Sequence, residues 1–187
     1  AGTETLVTMF PSDPPAADAD EPIAFGEITR EKHGQAFNNK VIAISARLKC
    51  DPNHLMAVMA FETGEKFTPD VKNAAGSGAT GLIQFMPATA RGLAQKTAID
   101  QLDFVEAHFK SVVGSRAMPA LSDVYMAVLL PAAVGKLDSH VLFRQGTRAY
   151  DQNRGLDKNR NGRITKAEAA GKVQDKLELG MKTGRFG

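Results

Sequence analysis

DPNHLMAVMAFETG, residues Asp51 to Gly64, carries a helix start, body and stop in one stretch. Asp51 is a good N-cap because its short side-chain oxygen can accept from an otherwise unpaired amide. Pro52 suits the first helical position, and Gly64 suits the left-handed residue that ends a helix. Between them Leu55, Met56, Val58, Met59 and Phe61 leave almost no polar face, so the pattern predicts a helix covered on most sides, the centre of its domain. Glu62 stands at the end of this apolar run. A glutamate there either turns into solvent at a frayed helix end or is held where burial and the carbonyl end of the helix dipole both disfavour its charge. No basic residue lies in the preceding turn to offset them. In the second case it keeps its proton near neutrality, and a protonated carboxylic acid can give that proton to the oxygen leaving a glycosidic bond.

Helical patterns continue on both sides of this stretch. Upstream, Phe37, Val41, Ile42, Ile44 and Leu48 recur at three- and four-residue steps, predicting an amphipathic helix over Glu31 to Leu48. Downstream, NAAGSGATG (Asn73 to Gly81) is too poor in side chains to build a core and reads as a loop or short hairpin beside the central helix. Helices are expected again from Met86, from Leu102 and from Ser122, the last interrupted by Pro131. No strand-length alternation and no solenoid period appears, so the fold class is all-α.

With 187 residues the chain can bury one ordinary core without covalent staples. A net charge of +2, with the basic residues scattered, gives no electrostatic argument for a nucleic-acid partner. The single cysteine, Cys50, has no internal disulfide partner and reads as a small buried residue. No apolar run approaches the roughly 20 residues that cross a bilayer, so no membrane insertion is expected, and no signal-peptide pattern opens the chain. The Pro-, Asp- and Ala-rich opening, PSDPPAADADEP, reads as a linker (residues 1–25) and leads us to expect a module of a larger parent polypeptide.

The segment FETGEKFTPDVKNAAGSGATGLIQFMPATA, Phe61 to Ala90, resembles the signature of the soluble lytic transglycosylase and goose-type lysozyme superfamily: E-[ST]-G, an aromatic and a proline, then G-A-x-G-L-[MI]-Q-x-M-P-x-T-A. The resemblance implies a lysozyme-like helical catalytic domain, here residues 26–145, that cleaves the β-1,4 bond between N-acetylmuramic acid and N-acetylglucosamine in peptidoglycan glycan strands. It places the catalytic acid on Glu62. Gly78 and Gly81 would let backbone approach a sugar, and Gln84 could bind an N-acetyl group. Ser77 is close to a family serine whose own position holds Ala75. The family's A-x-Y-N-A-G is missing: Leu129 and Leu130 replace the polar pair, and Tyr125, one turn earlier, either reaches the cleft or is a buried structural tyrosine. This departure points towards hydrolysis, a muramidase, with internal transfer to a 1,6-anhydro product as the alternative and a non-catalytic wall-binding module as a third reading. Glu65 and Asp70 are the nearest candidates for a second carboxylate, although for each taken singly a solvated loop residue is the favoured reading. The helices also look like those of muralytic domains in phage tail proteins and type VI secretion effectors. That likeness implies action in the bacterial periplasm or cell wall after delivery with a larger particle or effector, and an immunity protein as a possible partner.

DKNRNGRITKAE, Asp157 to Glu168, fits the twelve-residue EF-hand loop. The resemblance implies a Ca2+ ion held by Asp157, Asn159, Asn161, the Arg163 carbonyl, Thr165 and both oxygens of Glu168, with Gly162 at the sharp turn. An exiting helix follows, the preceding one is short, and no second complete loop appears. An EF-hand-like appendage over residues 146–187 is expected, its calcium a structural clip rather than a sensor.

Overall fold

The computed structural model describes residues 20–187; residues 1–19 of the expected linker lie outside them. The central helix, α3 (Pro52–Thr63), is framed as its caps require. The Asp51 side chain accepts from the Asn53 amide, and Gly64 closes the helix at φ 57. Leu55, Met56, Ala57, Val58, Met59 and Ala60 have no exposed surface, because α2 (Gln35–Leu48), α6 (Leu121–Leu129) and α8 (Lys166–Gly180) pack around α3. A longer helix, α5 (Ala98–Val113), lies against α2 and α6.

Several boundaries differ from the expectation for identifiable reasons. The predicted helix over 31–48 is two helices, α1 (Gly26–His33) and α2. Gly34, at φ 85, turns the chain between them. The helix expected from Met86 is a single turn, α4 (Pro87–Ala90), after which Gly92 at φ 79 leads into turns. α6 ends before Pro131, whose ring cannot continue it, and a 3-10 turn follows. Residues 23–25 are not linker-like: Ile23, Ala24 and Phe25 are fully buried. Ile23 exchanges backbone hydrogen bonds with Gly187, and the Phe25 amide donates to the Gly180 carbonyl.

The described residues also hold a small sheet that a reading of local periodicity misses. β1 (Val141–Arg144) and β2 (Arg163–Thr165) pair antiparallel, Phe143 opposite Ile164 and Arg144 opposite Arg163, with a bulge between Val141 and Phe143. The sheet therefore spans the boundary expected at residues 145 and 146. Between the strands lie α7 (Arg148–Asn153), capped by Thr147, and a 3-10 turn at Arg154–Leu156. α8 opens with a capping box: Thr165 accepts from the Glu168 amide while Glu168 accepts from the Thr165 amide. Besides helix packing and backbone hydrogen bonds, two side-chain ion pairs tie this C-terminal segment to the rest. Lys166, almost fully buried, pairs with Asp123 on α6 and donates to the Lys136 carbonyl. Lys176 on α8 pairs with Glu65, just after α3, at 2.8 Å. Removing either partner of the buried Lys166–Asp123 pair would strand a charge between α8 and α6.

Candidate active site

Glu62 occupies the last turn of α3, where no basic residue is present. Two cavities of about 350 and 340 Å3 share Phe61, Glu62 and Asn73 in their walls, so the carboxyl stands between them. The first is completed by the loop after α3 and by Gln84. The second is completed by Tyr125 and Leu129 of α6 and by Gln152, Asn153, Gly155, Leu156 and Lys172 of the C-terminal segment. Burial pushes the Glu62 carboxyl up to about 7, with no charged or hydrogen-bonding partner among the described residues acting against it. A carboxyl in this state is half protonated near neutrality, as general-acid chemistry requires.

Tyr125 is buried against this acid. Its ring meets Phe61 edge-on, with centroids 5.5 Å apart, and its hydroxyl is held protonated by burial and by the nearby Glu62 charge. Leu129, one turn later, supplies an apolar patch to the same wall.

Gln84 lines the first cavity at φ 56. Its amide nitrogen is already committed to the carbonyls of Val71 and Gly81, at 2.9 and 3.0 Å, which leaves the side-chain oxygen as the group able to face a ligand. Gly81 answers a packing demand. At φ 93, a Cβ there would come within 2.6 Å of Gln101 Oε1. Gln101, fully buried, accepts from the Leu82 amide and donates to the Pro69 and Leu93 carbonyls, so it pins the whole loop. Gly78 likewise faces Pro87, whose Cγ would lie 3.0 Å from a Cβ. Ser77 is exposed, accepts from the Ala79 amide at 3.3 Å, and is absent from both walls. Glu65 is committed to Lys176, and Asp70 is exposed and in neither wall.

Sequence reasoning did not single out Asn73, Gln152 or Lys172. Asn73 sits at the junction of both cavities and ties its own loop by accepting from the Ala75 amide at 2.7 Å. No local signal marks it, because its position depends on how the loop folds back onto α3.

The expected calcium loop has oxygens suited to a hard cation. Asp157 accepts from the amides of Asn161 and Gly162 and from the Tyr150 hydroxyl. Asn159 accepts from the Asn161 amide and Asn161 from the Arg163 amide. Gly162 turns the chain at φ 77. One oxygen of Glu168 serves the capping box, whereas the other, Oε1, is buried with no partner among the described residues, an orphaned oxygen that a cation could satisfy. Among the described residues no three His, Cys, Asp or Glu side chains gather to hold a metal, so a cation here would lean on amide and backbone oxygens beside Asp157 and Glu168.

The fold thus sets one protonatable carboxyl between two cavities at the end of its central helix. Residues 39–122 match the family model described as the transglycosylase SLT domain. The match includes Glu62 and the whole lining of the first cavity and supports peptidoglycan-cleaving activity of the lytic transglycosylase or lysozyme-like kind, exerted in the cell wall or periplasm. No curated protein and no solved structure matches the chain. Among the described residues no helix is long and apolar enough to cross a membrane.

Proposed function

We propose that the protein cleaves the β-1,4 bond between N-acetylmuramic acid and N-acetylglucosamine, with Glu62 as general acid. The observation that carries this reading is one carboxyl raised by burial alone, standing between two cavities. Glu62 gives its proton to the glycosidic oxygen, the C1–O bond breaks, and the electron pair leaves with the departing sugar. The ring oxygen shares the positive charge that develops at C1. Water then attacks C1, giving hydrolysis, or the muramyl C6 hydroxyl does, giving a 1,6-anhydro ring; in either route the ionised Glu62 accepts the proton released. The Gln84 oxygen is suited to receive an N-acetyl N–H, and Tyr125 is suited to donate to an oxygen of the bound sugar.

Leu129 and Leu130, in place of the family's polar pair, favour hydrolysis. Against that, Glu62 is the only acid in either wall among the described residues, which leaves no second carboxylate to position water and favours internal transfer. Mass spectrometry of the released fragments separates the two, since reducing ends mean water and anhydro ends mean transfer. The parent activity is tested by clearing of a peptidoglycan suspension with wild type and Glu62→Gln; equal rates would refute the acid role, and with it favour a non-catalytic wall-binding module.

A Ca2+ ion held by Asp157, Asn159, Asn161, Arg163, Thr165 and Glu168 would supply the cross-link that fixes the C-terminal segment. Lys158, Arg160, Arg163 and Lys166 outnumber the two acids of the loop, so affinity should fall at the weak end for such sites. Chelation should lower the Tm and Glu168→Gln should abolish that response; a Tm indifferent to both calcium and chelator would remove the metal from the account. Passage to the wall as part of a larger effector or phage particle, with a cognate immunity protein, remains part of the same proposal.

A further inference from the structure

The match to the transglycosylase domain stops at residue 122, yet the second cavity beside Glu62 is walled largely by later residues: Gln152, Asn153, Gly155, Leu156 and Lys172. The C-terminal segment is thus more than a clip on the back of the domain. It supplies one side of the groove.

Charge along that groove is one-sided. Lys66 and Lys72 line the first cavity and Lys172 the second, while the sole acid, Glu62, is half protonated near neutrality. Lys172 is the cation that shares the second cavity with Glu62 and Tyr125. Its ammonium rests over Gly155, where an added Cβ would lie 3.7 Å from Nζ, and among the described residues no carboxylate comes within ion-pair distance of it. The neighbouring lysines on its helix are engaged: Lys166 with Asp123 and Lys176 with Glu65. Of the three lysines on α8, Lys166 and Lys176 dock the helix, and Lys172 lines the second cavity.

We propose that Lys172 is a specificity-determining residue that reads a carboxylate carried by the substrate's muramyl arm or the peptide extending from it. Such a group hangs from alternate sugars of the glycan, so an ammonium in the wall beside the scissile bond meets it when the polymer lies in register. Gln152, exposed in the same wall, adds an amide able to hydrogen-bond the same group. The inference rests on peptidoglycan being the substrate and assigns a function to a segment outside the family match.

The test uses soluble, phosphate-free peptidoglycan fragments in two forms, native and with their carboxylates amidated, and reads the ratio of kcat/KM between them. Wild type should prefer the native form, more strongly at low salt. Lys172→Ala should lower that ratio about 3–10-fold, mainly through KM, the scale of a partly solvated ion pair. Lys172→Arg should restore the ratio, and Lys182→Ala, an exposed charge change outside both walls, should leave it at the wild-type value. A Lys172→Ala ratio equal to wild type, or an equal loss on both substrates, overturns the proposal. Failure of the parent reading looks different: Glu62→Gln would then cleave native fragments as fast as wild type.

Discussion

Two glutamates in this protein lie in opposite environments. Glu62, at the end of α3, is raised to about 7 because burial removes water and nothing replaces it. Glu106, on α5, is also largely shielded, yet it is lowered to about 2, first by its hydrogen bonds from Arg47 and then by Lys110. The Arg47 guanidinium grips both carboxylate oxygens, at 2.7 and 2.9 Å. Shielding alone therefore does not decide a carboxyl's charge here. The partner decides it, and the site of proposed chemistry is the one from which partners are excluded.

The comparison is tested most strongly by exchanging charge for shape. Glu62→Gln should cut peptidoglycan cleavage by at least about 100-fold, the ordinary contribution of a general acid, while the fold persists. Glu106→Gln should do the reverse. Activity should survive while the loss of a two-point, charge-assisted contact costs about 1–2 kcal/mol, read as a Tm lower by roughly 3–6 °C. If Glu106→Gln abolished activity in a folded protein, or Glu62→Gln unfolded it, the division between the two regions would break.

Acid and base then sharpen the contrast, because the two carboxyls have opposite linkage. For Glu106 the folded value lies below the unfolded one, so its contribution is present above about 4.5 and is lost as the pH falls towards 2. For Glu62 the folded value lies above the unfolded one. Between about 4.5 and 7 the unfolded chain has released a proton that the native state still holds, so this group lowers stability as the pH rises. Relative to wild type, Glu62→Gln should gain stability across that window, by an amount on the order of 2 kcal/mol, in thermal melts at stepped pH. No widening of the Tm difference with pH would place the Glu62 carboxyl in ordinary solvent.

The parts of this fold legible in the sequence are those fixed by local chemistry. Asp51, Pro52 and Gly64 act within α3 itself, so its limits could be read from the string, and so could the exposed turn chemistry of the 157–168 loop. Gly34 was readable in principle as a break, since the apolar spacing that defines α2 begins only after it, at Phe37. The β1–β2 pairing was hidden because its strands are three and four residues long and meet across some twenty positions that include α7. Gln101, Asn73 and Lys172 were hidden for the same reason: each matters through what a distant segment brings to it. Glu65 shows the opposite error, a carboxylate suggestive in sequence beside Glu62 but claimed by Lys176 from more than a hundred residues away.

The central claim is that Glu62 holds its proton near neutrality because burial, unopposed by a partner, keeps it there. An NMR titration of carboxyl-13C-glutamate protein, with the Glu62 resonance assigned by its disappearance in Glu62→Gln, measures this directly. A midpoint near 7 is predicted, far above that of Glu106 in the same spectrum. A Glu62 midpoint near 4.5 would contradict the account.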